Sequence, residues 1–117
     1  MRQEDPKMLD KMIENSQRLI ERNWKDSKKG PFLKDLGKNQ IRNILDMAQA
    51  TDSFKVLETF ILYQAGRKMI SQEFAEDLIQ ELKKIKKEEG IKRIRLYLGY
   101  LYRYFVWKQS LEGGGNE

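Results

Sequence analysis

The chain has 117 residues and contains neither cysteine nor histidine, which excludes disulfides, thiol chemistry and zinc held by thiolate or imidazole. Charged residues make up 35% and hydrophobic residues 39%, against about 25% charged in an average domain, so one small globular domain with a heavily solvated surface is expected. The net charge is +5, and the stretch 83–95 alone carries that excess, a concentration expected of a polyanion-binding patch.

A first helix is predicted from about Pro6 to Asn23, where Met8, Leu9, Met12, Ile13, Leu19 and Ile20 recur at helical spacing behind Asp5-Pro6, a favourable cap and first helical position. Residues 25–37, with Gly30-Pro31 and a second glycine, read as a loop carrying a small apolar anchor in Phe32, Leu33 and Leu36. The next helix places Ile41, Ile44, Leu45 and Ala48 on one face, and Asp52-Ser53 offers the N-cap of a third with Phe54, Leu57, Phe60, Ile61 and Ala65. Gly66 costs about 1 kcal/mol inside a helix relative to alanine, and so points to a helix end or a close backbone approach, the end being favoured by Ile70-Ser71 soon after. Ser71 caps a fourth helix with Phe74, Leu78, Leu82 and Ile85 inward, Gly90 breaks it, and a fifth runs from about Ile91 to Ser110. No stretch alternates with the period of a strand. The expected architecture is all-α, a compact single-domain bundle of about five helices over residues 1–112, followed by a flexible glycine-rich tail over 113–117.

The fifth helix is apolar on more than one side. At about 100° per residue, Ile91, Ile94, Leu98, Leu101, Tyr102 and Phe105 form a stripe assigned to the domain's own core, while Tyr97, Tyr100, Tyr104 and Trp107 form a second, rotated by roughly a third of a turn. The second stripe is read as the outer side of a central core helix or as a subunit interface, since Tyr and Trp are enriched at interfaces; stacking on bases is a third reading. Lys83, Lys84, Lys86 and Lys87 complement the negative end of a helix dipole, whereas Lys92, Arg93 and Arg95 fall where the dipole disfavours cations. Cations at a helix start are what a phosphate selects.

Catalysis finds little to work with. The carboxylates are scattered over predicted solvent faces, and Glu73, Glu76, Asp77 and Glu81 on one helix lack the further oxygen ligands a Mg²⁺ site needs. A non-enzymatic protein without metal or cofactor is expected. No run approaches the roughly 18 apolar residues of a membrane span, and Met1-Arg-Gln-Glu-Asp-Pro lacks the apolar core of a signal peptide, so a cytoplasmic protein with no membrane partner is expected.

Two strings, Lys38-Asn-Gln-Ile-Arg42 and Tyr63-Gln-Ala-Gly-Arg67, resemble the helical small subunit of type III-A CRISPR interference (Csm) complexes. The resemblance runs from about Lys38 to Lys68 and more loosely through the aromatic helix from Tyr97 to Trp107. It implies a non-catalytic subunit in antiviral defence, present in several copies, that holds crRNA and target RNA by their backbones and contacts other Csm subunits and itself. On that reading Lys38, Arg42, Arg67 and Lys68, with Lys92, Arg93 and Arg95, are the RNA-binding positions, and Tyr97, Tyr100, Tyr104 and Trp107 the subunit interface. Two alternatives stand beside it, a helical protein-interaction adaptor or homodimer and a small helix-turn-helix DNA-binding regulator. The regulator is the weaker, because a third helix with Glu58 and only Lys55 before its far end is a poor major-groove reader.

Overall fold

The computed structural model describes residues 6–24 and 37–113, the side chains of residues 37, 38, 88, 89, 112 and 113 excepted. These residues form five helices: α1 (Pro6–Arg22), α2 (Gly37–Ala50), α3 (Phe54–Gly66), α4 (Gln72–Glu89) and α5 (Ile91–Gly113). The fold is the expected single-domain all-α bundle. Gly37 already opens α2, and the rest of the predicted loop lies outside the described residues. α5 runs three residues past the predicted end to Gly113, and residues 114–117 lie outside the described residues.

Local chemistry sets the helix ends. The Ser53 and Ser71 hydroxyls accept from the backbone N–H groups of Val56 and Phe74 at 3.2 and 3.1 Å, each satisfying one of the first-turn donors that a helix leaves open. Gly90 joins α4 to α5 by itself, with φ 86 and ψ −176, a conformation open essentially to glycine alone. α3 closes differently. The N–H groups of Lys68 and Met69 donate to the carbonyls of Ala65 and Gln64 at 2.9 and 3.0 Å, a double closure that needs a left-handed residue. That residue is Lys68, at φ 62, while Gly66 sits two positions too early to supply it.

α5 is the axis of the bundle. α1, α2 and α4 all pack on it, and α3 is carried on the outside by α2 and α4. Ile94, Tyr97, Leu98, Leu101 and Phe105 are fully buried along α5, against Leu19 and Ile20 of α1, Ile41 and Ile44 of α2, and Phe74, Leu78 and Leu82 of α4. Two polar clamps lock this arrangement. Arg22 at the end of α1 donates to both oxygens of Asp77 on α4 at 2.7 and 3.0 Å, and the Asn23 amide donates to Asp77 at 2.9 Å. Burial alone would raise the Asp77 carboxyl, but these donors hold it below the ordinary aspartate value. In the second clamp, Arg95 of α5 donates to the carbonyls of Ala48 and Thr51 at 2.8 and 3.0 Å and to the Asp52 carboxylate at 2.8 Å.

Lys68→Gly should raise stability by about 1 kcal/mol, because it removes the side chain that disfavours the left-handed conformation. Gly90→Ala should lower it by about 1–3 kcal/mol, although nothing lies within 4 Å of the added Cβ. Urea denaturation of the two variants reads both signs, and equal destabilisation by both would refute the assignment of backbone conformations.

Candidate nucleic-acid interface

The predicted cations meet different fates. Arg42 is exposed on α2, where its guanidinium lies 5.8 Å from the centroid of the Tyr102 ring and 3.3 Å from the Asp46 carboxylate. Arg67 is exposed at the end of α3, with its guanidinium 5.5 Å from the Tyr63 ring centroid. Both arginines are thus held over aromatic rings at the surface, and Arg42 is also engaged by Asp46. Lys68 and Lys92 are exposed, and Arg93 is half-buried in a cleft between α1, α4 and α5. The Lys38 side chain lies outside the described residues.

Arg95, expected at the RNA-binding face, serves the fold. Its side chain is 26% exposed, and its donors are spent on the C-terminal carbonyls of α2 and on Asp52. A helix C-terminus carries partial negative charge and open carbonyls, so a guanidinium reaching it across the bundle satisfies both at once.

A second basic site is one that the spacing alone had attributed to helix-dipole complementarity. Lys83, Lys86 and Lys87 recur at positions three and four apart along one face of α4, and packing of α3 on α4 brings Lys55 beside them. The four lysines line an open cleft of about 460 Å³ together with Ser53, Phe54 and Glu58 at the start of α3. Glu58, the carboxylate among these lining residues, is already bridged by Lys83 at 3.7 Å and Lys55 at 3.9 Å. The Lys86 ammonium sits 5.7 Å from the Phe54 ring centroid. The cleft therefore carries a surplus of positive charge next to a helix N-terminus, where phosphate is favoured.

The aromatic stripe divides as well. Tyr97, expected at a subunit interface, is 1% exposed and belongs to the core; helical rotation brings it round between α1 and α4 rather than outward. Tyr104 is half-buried, and its hydroxyl donates to the Glu21 carboxylate, which Lys108 also approaches at 3.2 Å. Burial and this carboxylate push the Tyr104 phenol up to about 12. Tyr100 is half-buried under the Arg103 guanidinium, 5.1 Å from its ring centroid. Trp107 remains outward, 51% exposed, together with Leu111 at 62%, and α3 contributes Val56, Leu62 and Tyr63 to the exposed surface. Of Glu73, Glu76, Asp77 and Glu81 on α4, Asp77 and Glu81 are engaged by Arg22, with Glu81 at 3.8 Å, and among the described residues no three carboxylates converge as a metal site. Among the described residues no helix is long and apolar enough to cross a membrane.

Arg95→Met should lower stability by about 1–3 kcal/mol, since it leaves the part-buried carbonyls of Ala48 and Thr51 without their donors, whereas Arg42→Met, which removes one exposed cation–ring contact, should lower it by no more than about 0.5–1 kcal/mol. Paired thermal melts check the contrast, and an equal loss from both would remove the distinction between structural and surface arginine. Comparisons with family models, with curated proteins and with solved structures found no match for this chain.

Proposed function

We propose that this protein is a non-catalytic RNA-binding subunit that neutralises backbone phosphates without reading sequence, in the manner of the small subunit of a Csm-type CRISPR ribonucleoprotein. The observation that carries this reading is the cleft where Lys55, Lys83, Lys86 and Lys87 meet around a single, already bridged carboxylate. Ammonium groups on flexible stems bind phosphate as point charges and carry no base information. Arg42 and Arg67, the cations of the two family-like strings, add exposed guanidinium groups at which backbone phosphates can dock. Duplex major-groove reading is less well served, because the outward side of α3 presents Val56, Thr59, Leu62 and Tyr63 with Lys55 as its one cation before the helix end, a set that offers few donors to base edges.

One copy would hold RNA weakly and in a strongly salt-dependent way, and copies arrayed along one strand would gain affinity by avidity. Fluorescence anisotropy of a labelled single-stranded RNA across a salt series, with duplex DNA as competitor, tests the reading. Binding should be indifferent to base sequence. The double variant Lys86→Glu/Lys87→Glu should weaken it and flatten the slope of log affinity against log salt by about 0.7 per lost phosphate contact. Wild-type affinity that does not respond to salt would sink the proposal.

A second reading, contact with further protein subunits or a second copy, is favoured by the outward Trp107 and Leu111 of α5. Large aromatic and aliphatic groups standing together at a surface are the usual core of an interface. Sedimentation of the wild type and of Trp107→Ala should give a concentration-dependent mass for the first that the second loses. A strictly monomeric wild type would count against self-association.

A further inference from the structure

α1 and α4 flank α5 and are clamped to each other where α1 ends, by Arg22, Asn23 and Asp77. Toward the start of α1 they part, leaving an open cleft of about 510 Å³ that runs down to α5. Its cations come from three helices, Lys11 of α1, Lys84 of α4 and Arg93 of α5, with the Asn15 amide beside Lys11 on α1. Glu81 opposes them, but it is already bridged by Lys84 at 3.7 Å and Arg22 at 3.8 Å. Met8, Met12 and Ile85 supply apolar lining. Tyr97 also lines the cleft, and its hydroxyl, removed from solvent, makes no hydrogen bond.

A buried donor without an acceptor costs about 1–3 kcal/mol, and native structures keep few of them. Here the donor belongs to a residue at the base of a positively charged cleft, beneath long, flexible methionine and lysine side chains that yield to a ligand. An anion is the ligand that the three cations select. A bare inorganic anion would leave the methionine lining uncovered and most of the cleft empty, while the volume lies within the range of about 300–1,000 Å³ typical of small-molecule sites.

We infer that this cleft binds a small organic phosphate with an apolar body, of which a nucleoside monophosphate is representative, with its phosphate on Lys11, Lys84 and Arg93 and an acceptor atom taking the Tyr97 hydroxyl proton in a hydrogen bond. The site is distinct from the four-lysine cleft, because Lys84 and Ile85 lie on a different side of α4 from Lys83, Lys86 and Lys87, and it does not rest on the RNA reading.

Isothermal titration calorimetry with adenosine monophosphate tests it, with inorganic phosphate and adenosine titrated in parallel. The wild type should bind adenosine monophosphate saturably and each half-ligand at least about ten-fold more weakly. Tyr97→Phe keeps the ring and removes the unpartnered hydroxyl. It should therefore weaken adenosine monophosphate about ten-fold without lowering the melting temperature, and Lys11→Glu, at an exposed position, should remove binding. Both variants should leave the salt-dependent affinity for single-stranded RNA as in the wild type, which separates this site from the lysine cleft. Absence of a saturable heat with wild-type protein, or undiminished binding by Tyr97→Phe, would overturn the assignment. Equal affinity for inorganic phosphate would overturn the role given to the apolar lining.

Discussion

The burial of α5 is the constraint on which the rest of this molecule depends. A 23-residue helix that is apolar over most of its circumference must be surrounded, and among the described helices three pack closely on it. α1, α2 and α4 do so, which leaves α3 outside, carried by its neighbours. Each large side chain withdrawn from water contributes about 1.5–3 kcal/mol, and Tyr97, Leu98, Leu101 and Phe105 place several such contributions on one helix. The polar clamps then fix how the outer helices lie on this axis. Asp77 sets α1 against α4, and Arg95 sets α5 against the turn that joins α2 to α3.

The same packing sorts the cations into roles. The basic residues on either side of Gly90 are neighbours in the chain, yet all but the exposed Lys92 go to three places: the α2 C-terminus for Arg95, the α1–α4 cleft for Lys84 and Arg93, and the α3–α4 cleft for Lys83, Lys86 and Lys87. An elbow rich in positive charge is therefore less a patch than a hub from which charge is distributed. Two of the destinations remain open to solvent and hold more cations than carboxylates among their described lining residues. This is the arrangement that long-range attraction of anions requires, because clefts focus the field of the charges that line them.

Three tyrosines at or near the surface each lie beside a guanidinium. Arg42 over Tyr102, Arg67 over Tyr63 and Arg103 over Tyr100 each hold a guanidinium within 6 Å of a ring, a contact of about 0.5–1 kcal/mol at exposed sites. Trp107 packs against Tyr104, with ring centroids 5.5 Å apart, and presents its other side outward. Leu111 and the outward residues of α3 extend the apolar surface beyond the aromatic stripe itself. The lysine cleft is lined by α3 and α4, whereas Trp107 and Leu111 stand outward on α5.

Sequence periodicity and punctuation alone determined the helical class, the number of helices and most of their ends. The signals are local ones: a serine before an apolar run at Ser53 and Ser71, a residue only glycine can be at Gly90, and three-and-four spacing throughout. Where a signal was local but ambiguous, position decided it, as at the end of α3, where Lys68 rather than Gly66 adopts the left-handed turn. The core face of α5 was legible for the same reason, since a helix repeats its own geometry. What the sequence could not determine was which neighbour each face meets. Tyr97 lies on the border between two stripes, and only the approach of α1 and α4 makes it core; Arg95 looks like a free cation until α2 ends beside it; Lys55 joins Lys83, Lys86 and Lys87 only because α3 packs on α4. These are contacts between residues far apart in the chain, and no local rule of spacing or charge encodes them.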